Sequence, residues 1–316
     1  MPRRRVLNIL VTGGAGFIGS HLVHAFLRDG HTVRVLDDFS SGSRDNLREV
    51  SRVIEVLRGD AADPRTAARA AKGIDVVYHE AAVPSVALSV ADPAGSHRAS
   101  ATATLQMLLA ARDAGVRRFV YAGSSSVYGD PPEQPKTESM TPRPLSPYAV
   151  GKLTGEMYVR LFASLYGLET LTLRYFNVFG PRQSPGSPYS GVISLFTTSL
   201  LRGRTPVIYG DGGQSRDFTY VDNVVEANRL ALKAKGLAGQ AVNVATGKSV
   251  TLLALLRALG TITGEPARAR HEKVRAGDIR HSRADIRQAE RLLGYRPIVD
   301  FQTGLERTVD WYRRAQ

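Results

Sequence analysis

Up to about Arg174, short apolar runs alternate with longer stretches of helical period. Val6–Thr12 has strand character and stops at Gly13. Phe17–Arg28 then sets Phe17, Leu22, Ala25 and Phe26 near one helical face. Thr32–Leu36, Val53–Leu57, Asp75–His79, Arg117–Ala122 and Glu169–Arg174 read as further strands, with helices over Asp92–Ala114 and Pro147–Tyr166. Strand and helix alternating at this spacing predict an α/β fold: a doubly wound parallel sheet covered by helices on both faces.

Beyond Arg174 the rhythm changes. Pro and Gly cluster over Gly180–Pro188, a loop by composition. Short elements follow: helices over Val192–Arg202 and Val221–Lys235, strands over Val207–Tyr209 and Val242–Ala245, and helical segments at Ala284–Leu293 and Gly304–Arg313. The expected division is a larger domain over residues 1–175 and a smaller lobe over 176–316, with segments near 221–245 returning to the first.

Composition narrows the classes. Hydrophobic residues make up 43% and charged residues 22% of 316, which describes a globular chain and excludes a disordered one. The absence of Cys excludes a disulfide scaffold, a thiolate metal site and a cysteine nucleophile. No apolar run approaches the ~18–20 residues needed to cross a bilayer. The basic start at Arg3–Arg5 is followed by an apolar run that breaks at Thr12-Gly13-Gly14, too soon for a signal peptide. The expected location is the cytoplasm, with neither membrane nor metal involved. A net charge of +13 invites a nucleic-acid reading. Against it, seven Lys and 35 Arg are scattered along the chain with no aromatic-interleaved stripe. The field is suited instead to steering anionic phosphate compounds.

Thr12-Gly13-Gly14-Ala15-Gly16-Phe17-Ile18-Gly19 is the strongest local signal, a glycine-rich turn after a strand and before a helix. Gly13, Gly16 and Gly19 let backbone approach a pyrophosphate, whose charge rests on the helix N-terminus. Asp37 and Asp38 end the second strand, where a carboxylate bonds ribose hydroxyls and repels a 2′-phosphate, favouring NAD over NADP. Asp60 suits either the adenine edge or a helix N-cap. Tyr148 and Lys152 stand one helical turn apart on one face. An ammonium and a cationic nicotinamide lower a tyrosine pKa, so the phenol can exchange a proton with an alcohol while hydride moves.

TGGAGFIGS, the Asp pair, HEAA at 79–82, SSSVYGD at 124–130, YAVGK at 148–152, RYFNVFGPRQ at 174–183, GDGGQSRDFTYVDN at 210–223 and RAGDIRHSRADI at 275–286 occur in one order. Together they resemble an extended short-chain dehydrogenase/reductase of the UDP-glucose 4-epimerase family, in particular its UDP-N-acetylglucosamine 4-epimerase branch. The resemblance implies a Rossmann-type NAD domain, a C-terminal lobe for a UDP-sugar, and a homodimer formed through helices Asp92–Ala114 and Pro147–Tyr166. It implies that Tyr148 is the acid/base, that Lys152 binds the nicotinamide ribose, and that Ser124, with Ser126 nearby, bonds the reacting hydroxyl. Phe17, Ile18, Asp37, Asp38, Phe39, Ser40, Ser41, Gly42, Asp60, Ala61, Ala81, Ala82 and Phe176 are the implied NAD residues. Ser85, Val86, Asn177, Arg216, Arg275, Asp278 and Ser282 are the implied substrate residues. The arginines suit diphosphate oxygens. Ser282 stands where the family faces the sugar 2-substituent, or caps the helix beginning near Ala284. One departure is plain: Ser100 and Ala103 replace the family's Asn and Gly.

Other reactions on this scaffold need residues that are missing. By resemblance, a 4,6-dehydratase carries an Asp-Glu pair and a UDP-glucuronate decarboxylase a Glu, where this chain has Ser124-Ser125-Ser126-Val127. A 3,5-epimerase uses a cysteine, and there is none. The resemblance therefore implies 4-epimerisation of UDP-hexoses, acetylated hexosamines included, through a transient 4-keto sugar. UDP-glucuronate 4-epimerase, sugar-nucleotide reductase and a non-enzymatic NAD sensor are the alternatives.

Overall fold

The computed structural model describes residues 5–184, 191–274 and 279–315. The first part alternates β1 (Asn8–Thr12), α1 (Phe17–Arg28), β2 (Thr32–Asp37), β3 (Glu55–Arg58), α2 (Pro64–Ala71) and β4 (Val76–His79). Helices α3 (Val86–Ala91), α4 (Pro93–His97) and α5 (Ala103–Asp113) lead to β5 (Arg118–Ser124), α6 (Pro147–Tyr166) and β6 (Glu169–Tyr175). The rest comprises β7 (Val178–Phe179), α7 (Val192–Leu201), β8 (Val207–Tyr209), β9 (Ser215–Arg216), β10 (Thr219–Tyr220), α8 (Val221–Lys233) and β11 (Gln240–Val244). It ends with β12 (Val250–Thr251), α9 (Leu252–Thr263), β13 (Arg270–Glu272), β14 (His281–Ser282), α10 (Arg287–Leu293) and α11 (Phe301–Arg314).

Seven parallel strands form one sheet in the order β11-β6-β5-β4-β1-β2-β3. Central strands are covered on both faces, so β4 is an unbroken buried run and β6 is buried over six of its seven residues. One face packs on α1 and α8 through Val23, Phe26, Val224 and Ala231. The other packs on α2, α5 and α6 through Ala67, Met107, Leu108, Val159 and Phe162. A separate cluster joins α7, α9 and α11 around Phe196, Leu255, Leu256 and Val309. No helix among the described residues is long and apolar enough to cross a membrane.

Several boundaries differ from the sequence expectation. The third strand begins at Glu55, not Val53, because it is an edge strand paired only with β2 and mostly exposed. Asp92–Ala114 is not one regular helix: a π turn over Arg98–Thr102 separates α4 from α5. Ser100 lies in that turn, its hydroxyl buried without a hydrogen-bond partner, and packs so close to Gly151 that a Cβ there would collide with it. The last two helices also shift. α10 starts only at Arg287, because Ala284 is held in a bridge to Lys136. α11 starts at Phe301, where the Asp300 carboxylate accepts from Thr303 N at 2.8 Å.

Two polar assemblies tie these layers together. Arg174 of β6 reaches Glu156 of α6 (Nε–Oε2 2.9 Å), with only 4% and 13% of their side chains exposed. Arg174 also donates to the Tyr128 hydroxyl (2.7 Å), which donates to Asn243 Oδ1 of β11 (2.7 Å). In the second, the turn before α6 clasps the segment after β14. Gln134 donates to His281 O and accepts from Arg283 N, Lys136 N donates to Arg283 O, and Asp285 N donates to Lys136 O. Removing one partner of a buried ion pair costs about 3–5 kcal/mol. Glu156→Ala should therefore lower unfolding free energy by about 3 kcal/mol in a denaturant titration. A loss below about 1 kcal/mol would show that water replaces the carboxylate.

Candidate active site

The carboxyl ends of β1, β2, β4 and β5 converge on one rim. Gly13 leaves β1 with φ 65°, and a Cβ there would collide with the backbone at Ala81. A side chain at Gly19 would strike the Gly13 carbonyl. The turn thus brings α1 hard against β1. Gly16 caps α1 with no side-chain bond, and its first turn holds no acidic residue. The uncapped N–H groups of this glycine cradle suit a diphosphate.

Asp37 braces this cradle. It is 7% exposed, accepting from Ala15 N at 2.8 Å through one oxygen and from Phe39 N at 2.8 Å through the other. Burial raises its pKa and the two N–H bonds oppose the rise. Asp38 is exposed and bonds Ser40 through N (2.8 Å) and Oγ (2.7 Å). Phe39 adopts φ 62° and lies under the Arg44 guanidinium at 4.8 Å. Ser41 is exposed and Gly42 lies against Ala15 and Asp37. These groups fit an adenosine and a pyrophosphate laid across the β1–α1 turn.

Other sequence-chosen residues sit differently from expectation. Asp60 caps no helix; Asp63 does, accepting from Thr66 N at 2.7 Å. Asp60 instead pairs with Arg98 (2.7 Å) and accepts from Ala62 N (2.7 Å). The Phe176 ring is fully buried, 6.1 Å from the Tyr128 ring between centroids. Ala61 is buried, and Phe17, Ile18, Ala81 and Ala82 are half-buried along the rim.

At the end of β5, Ser124 Oγ accepts from Ser126 N (3.2 Å) and Ser126 Oγ (2.9 Å). It also bonds the Tyr148 hydroxyl. Ser146 starts α6 by accepting from Ala149 N at 3.2 Å, with Pro147 at the first helical position. One turn on, Lys152 is 4% exposed, donates to Ala122 O at 2.9 Å and lies 5.1 Å from the centre of the Tyr121 ring. The Tyr148 pKa is raised, by burial first and the Glu80 charge besides, while the Ser124 bond lowers it. The downward pull expected of Lys152 is not what acts here. Burial lowers Lys152 itself.

On the substrate side, β9 is the middle of a three-stranded sheet between β12 and β14. Arg216 and Ser282 are register partners, and partners on adjacent strands share a face. Ser282 is 3% exposed and does not cap α10, whose first turn follows Ile286. Asn177 takes φ 33° and donates to Asp217 O at 3.4 Å. Ser85 caps α3, accepting from Leu88 N at 3.2 Å, which leaves Val86 exposed at its start. Arg275 and Asp278 lie outside the described residues.

Sequence reasoning missed three residues of this region. Asp217, fully buried, gathers Thr246 N, Gly247 N and Ala284 N, and so joins β9 to the chain after β11 and β14. Its signal was an acidic residue at the head of the mostly apolar stretch 218–221. Arg98, the Asp60 partner, is one exposed arginine among many, with no sequence signal. Glu80 breaks an apolar strand end in HEAA.

The glycine cradle, the strand-end carboxylate and the paired Tyr148 and Lys152 define a dinucleotide-dependent enzyme of the short-chain dehydrogenase/reductase type. Residues 9–245 match the NAD dependent epimerase/dehydratase family, and the chain belongs to it. NAD is its coenzyme. The chain is 41% identical to a UDP-glucose 4-epimerase of Mycolicibacterium smegmatis, over 97% of this chain and 99% of that one. A Thermotoga maritima UDP-glucose 4-epimerase structure with UDP-glucose superposes with TM-score 0.93 at 37% identity, covering 98% and 99% of the two chains. A Methanobrevibacter ruminantium UDP-N-acetylglucosamine 4-epimerase in complex with UDP-N-acetylmuramic acid gives 0.94 at 38%, covering 99% and 100%.

Proposed function

We propose that the protein is a 4-epimerase of UDP-hexoses. The observation that carries this reading is the floor of the site. Ser124, Tyr148 and Lys152 meet at the end of β5, and the turn that follows, Ser125-Ser126-Val127, brings no carboxylate for elimination or decarboxylation. The groups present support proton exchange at one carbon beside a hydride carrier, which is all that 4-epimerisation needs.

Tyr148 takes the proton from the sugar 4-hydroxyl while Ser124 orients that oxygen. NAD, when bound, accepts the C4 hydride and later returns it. Between the two transfers the 4-keto sugar turns about its diphosphate link, so that hydride would return to the opposite face of C4, and Tyr148 then reprotonates the oxygen. The anchor must hold while the hexose is loose, a task for Arg216, with Arg275 and Asp278 from the same motif set. Lys152 would hold the nicotinamide ribose, and the positive charge that lowers the Tyr148 pKa would come from the bound nicotinamide.

We further propose that the enzyme acts as a homodimer. Val150, Met157, Leu161 and Leu165 form an exposed apolar stripe on α6, at 47–66% exposure. Sedimentation should give about twice 34.3 kDa, and Met157→Arg should return the monomer. A monomeric wild type would remove this part.

Tyr148→Phe should lower kcat by ~10²–10⁴ and leave NAD bound, because only the hydroxyl is lost. Activity above about a tenth of wild type in a stopped product assay would exclude Tyr148 as the acid/base.

Substrate width is read from a panel of UDP-hexoses, acetylated UDP-hexosamines and UDP-hexuronic acids, with products separated and no reductant added. A small Ser282 beside Arg216 leaves room for an acetamido group, so both UDP-Glc/UDP-Gal and UDP-GlcNAc/UDP-GalNAc should interconvert. Ser282→Tyr should suppress the acetylated pair and spare UDP-Gal. Equal loss of both pairs, or no wild-type turnover of UDP-GlcNAc, would end the gatekeeper assignment. Turnover confined to the hexuronic acids would make the protein a UDP-glucuronate 4-epimerase.

A further inference from the structure

Asp60 and Arg98 have no part in the steps above, yet their ion pair stands beside the coenzyme cradle. Asp60 lies two residues past β3, and the chain there is tied to β2: Gly59 N donates to Asp37 O at 3.0 Å. Asp37 is the residue that braces Ala15 of the glycine turn. β1, β2 and β3 lie side by side in the sheet, so the carboxyl end of β3 stands two strand widths, ~10 Å, from the β1 turn. A diphosphate on that turn, with its ribose at the end of β2, sends the adenine outward toward Asp60. This placement rests on the coenzyme site described above.

The Asp60 carboxylate is fixed at both oxygens. Oδ1 accepts from Ala62 N at 2.7 Å. Oδ2 accepts twice from Arg98, from Nε at 3.1 Å and from Nη2 at 2.7 Å. These bonds hold the planar guanidinium by its edge, and in-plane bonds leave its faces for stacking. Arg98 opens the π turn at Arg98–Thr102, and such turns recur at functional sites. The pair does little for the fold. Its side chains are 58% and 41% exposed, and exposed pairs contribute little to stability.

We propose that Arg98 is a coenzyme-binding residue: its guanidinium, held edge-on by Asp60, is a platform on which the adenine of NAD stacks. A guanidinium plane suits a base, because the cation meets the π face and the flat group is already held in place. Asp60 then has two tasks. It faces the adenine edge, and it keeps Arg98 from swinging away. The role of Arg98 is to retain the coenzyme, which suits a reaction that returns NAD to its starting form.

The test follows NADH release from the loaded protein, chased with excess NAD and read by fluorescence, and the affinity of ADP-ribose competing for the same site. Arg98→Ala should speed release about fivefold to thirtyfold and weaken ADP-ribose by a similar factor, since ADP-ribose carries the adenine and lacks the nicotinamide. Arg98→Lys keeps the charge and loses the plane, so it should resemble Arg98→Ala. In an Asp60→Asn background, Arg98→Ala should cost little more, because the platform is already loose. Unchanged release in Arg98→Ala, or slower release because the pair closes the site to adenine, would overturn the proposal. So would full recovery by lysine, or a loss for NADH with ADP-ribose unmoved. If Arg98→Ala does not fold, the lysine variant decides alone, and release at the wild-type rate overturns the proposal. A wild type that holds no NADH would remove the coenzyme site and this proposal with it. Neither measurement needs a sugar nucleotide, so the epimerase reading stands or falls separately.

Discussion

The site depends on the buried pair of Arg174 and Glu156. A guanidinium that is 4% exposed on a central strand is tolerable only while its charge is met, and Glu156 meets it from one turn beyond Lys152. The pair therefore fixes how α6 is rotated and how far it slides along the sheet. The same guanidinium bonds the Tyr128 hydroxyl, at the end of the turn that follows Ser124. One cation thus registers the helix bearing Tyr148 and Lys152 against the strand end bearing Ser124. A small slip of α6 would part the hydroxyl from the serine, whatever else stayed in place.

Most of the sheet was legible in the sequence because its strands are buried on both faces. An apolar run between turn residues leaves little choice, and β1, β2, β4, β5 and β6 began and ended within two residues of the reading. Boundaries failed where tertiary contact decides them. The exposed edge strand β3 has no pattern of its own, and Ala284 belongs to a bridge with a residue 148 positions away. The π turn at Arg98–Thr102 left no mark in the periodicity. Apolar period cannot report a single extra residue in a turn of helix.

The candidate site divides along the same line. Its glycines, Asp37, Tyr148 and Lys152 stand at fixed offsets from predictable elements, so residue type and spacing sufficed to single them out as candidates. Asp60 had two readings from its place after the third strand, and Asp63 took the capping one; its contact with Arg98, like that of Phe176 with Tyr128, had no local signal. Ser282 had two readings, and strand pairing with Arg216 removed the capping one. Asp217 acts through long-range partners, which no local window of sequence contains.

The clasp between the 134–136 turn and the 281–285 segment carries a lesson for anyone recombining relatives of this chain. Ser282 belongs to the smaller lobe in sequence, yet its backbone neighbours are held by Gln134 and Lys136, which precede the catalytic helix. The two segments are one structural cassette written in two places. A chimera with a crossover between them would join a turn from one parent to a strand from the other. Such a hybrid inherits both halves of the clasp and none of the fit between them.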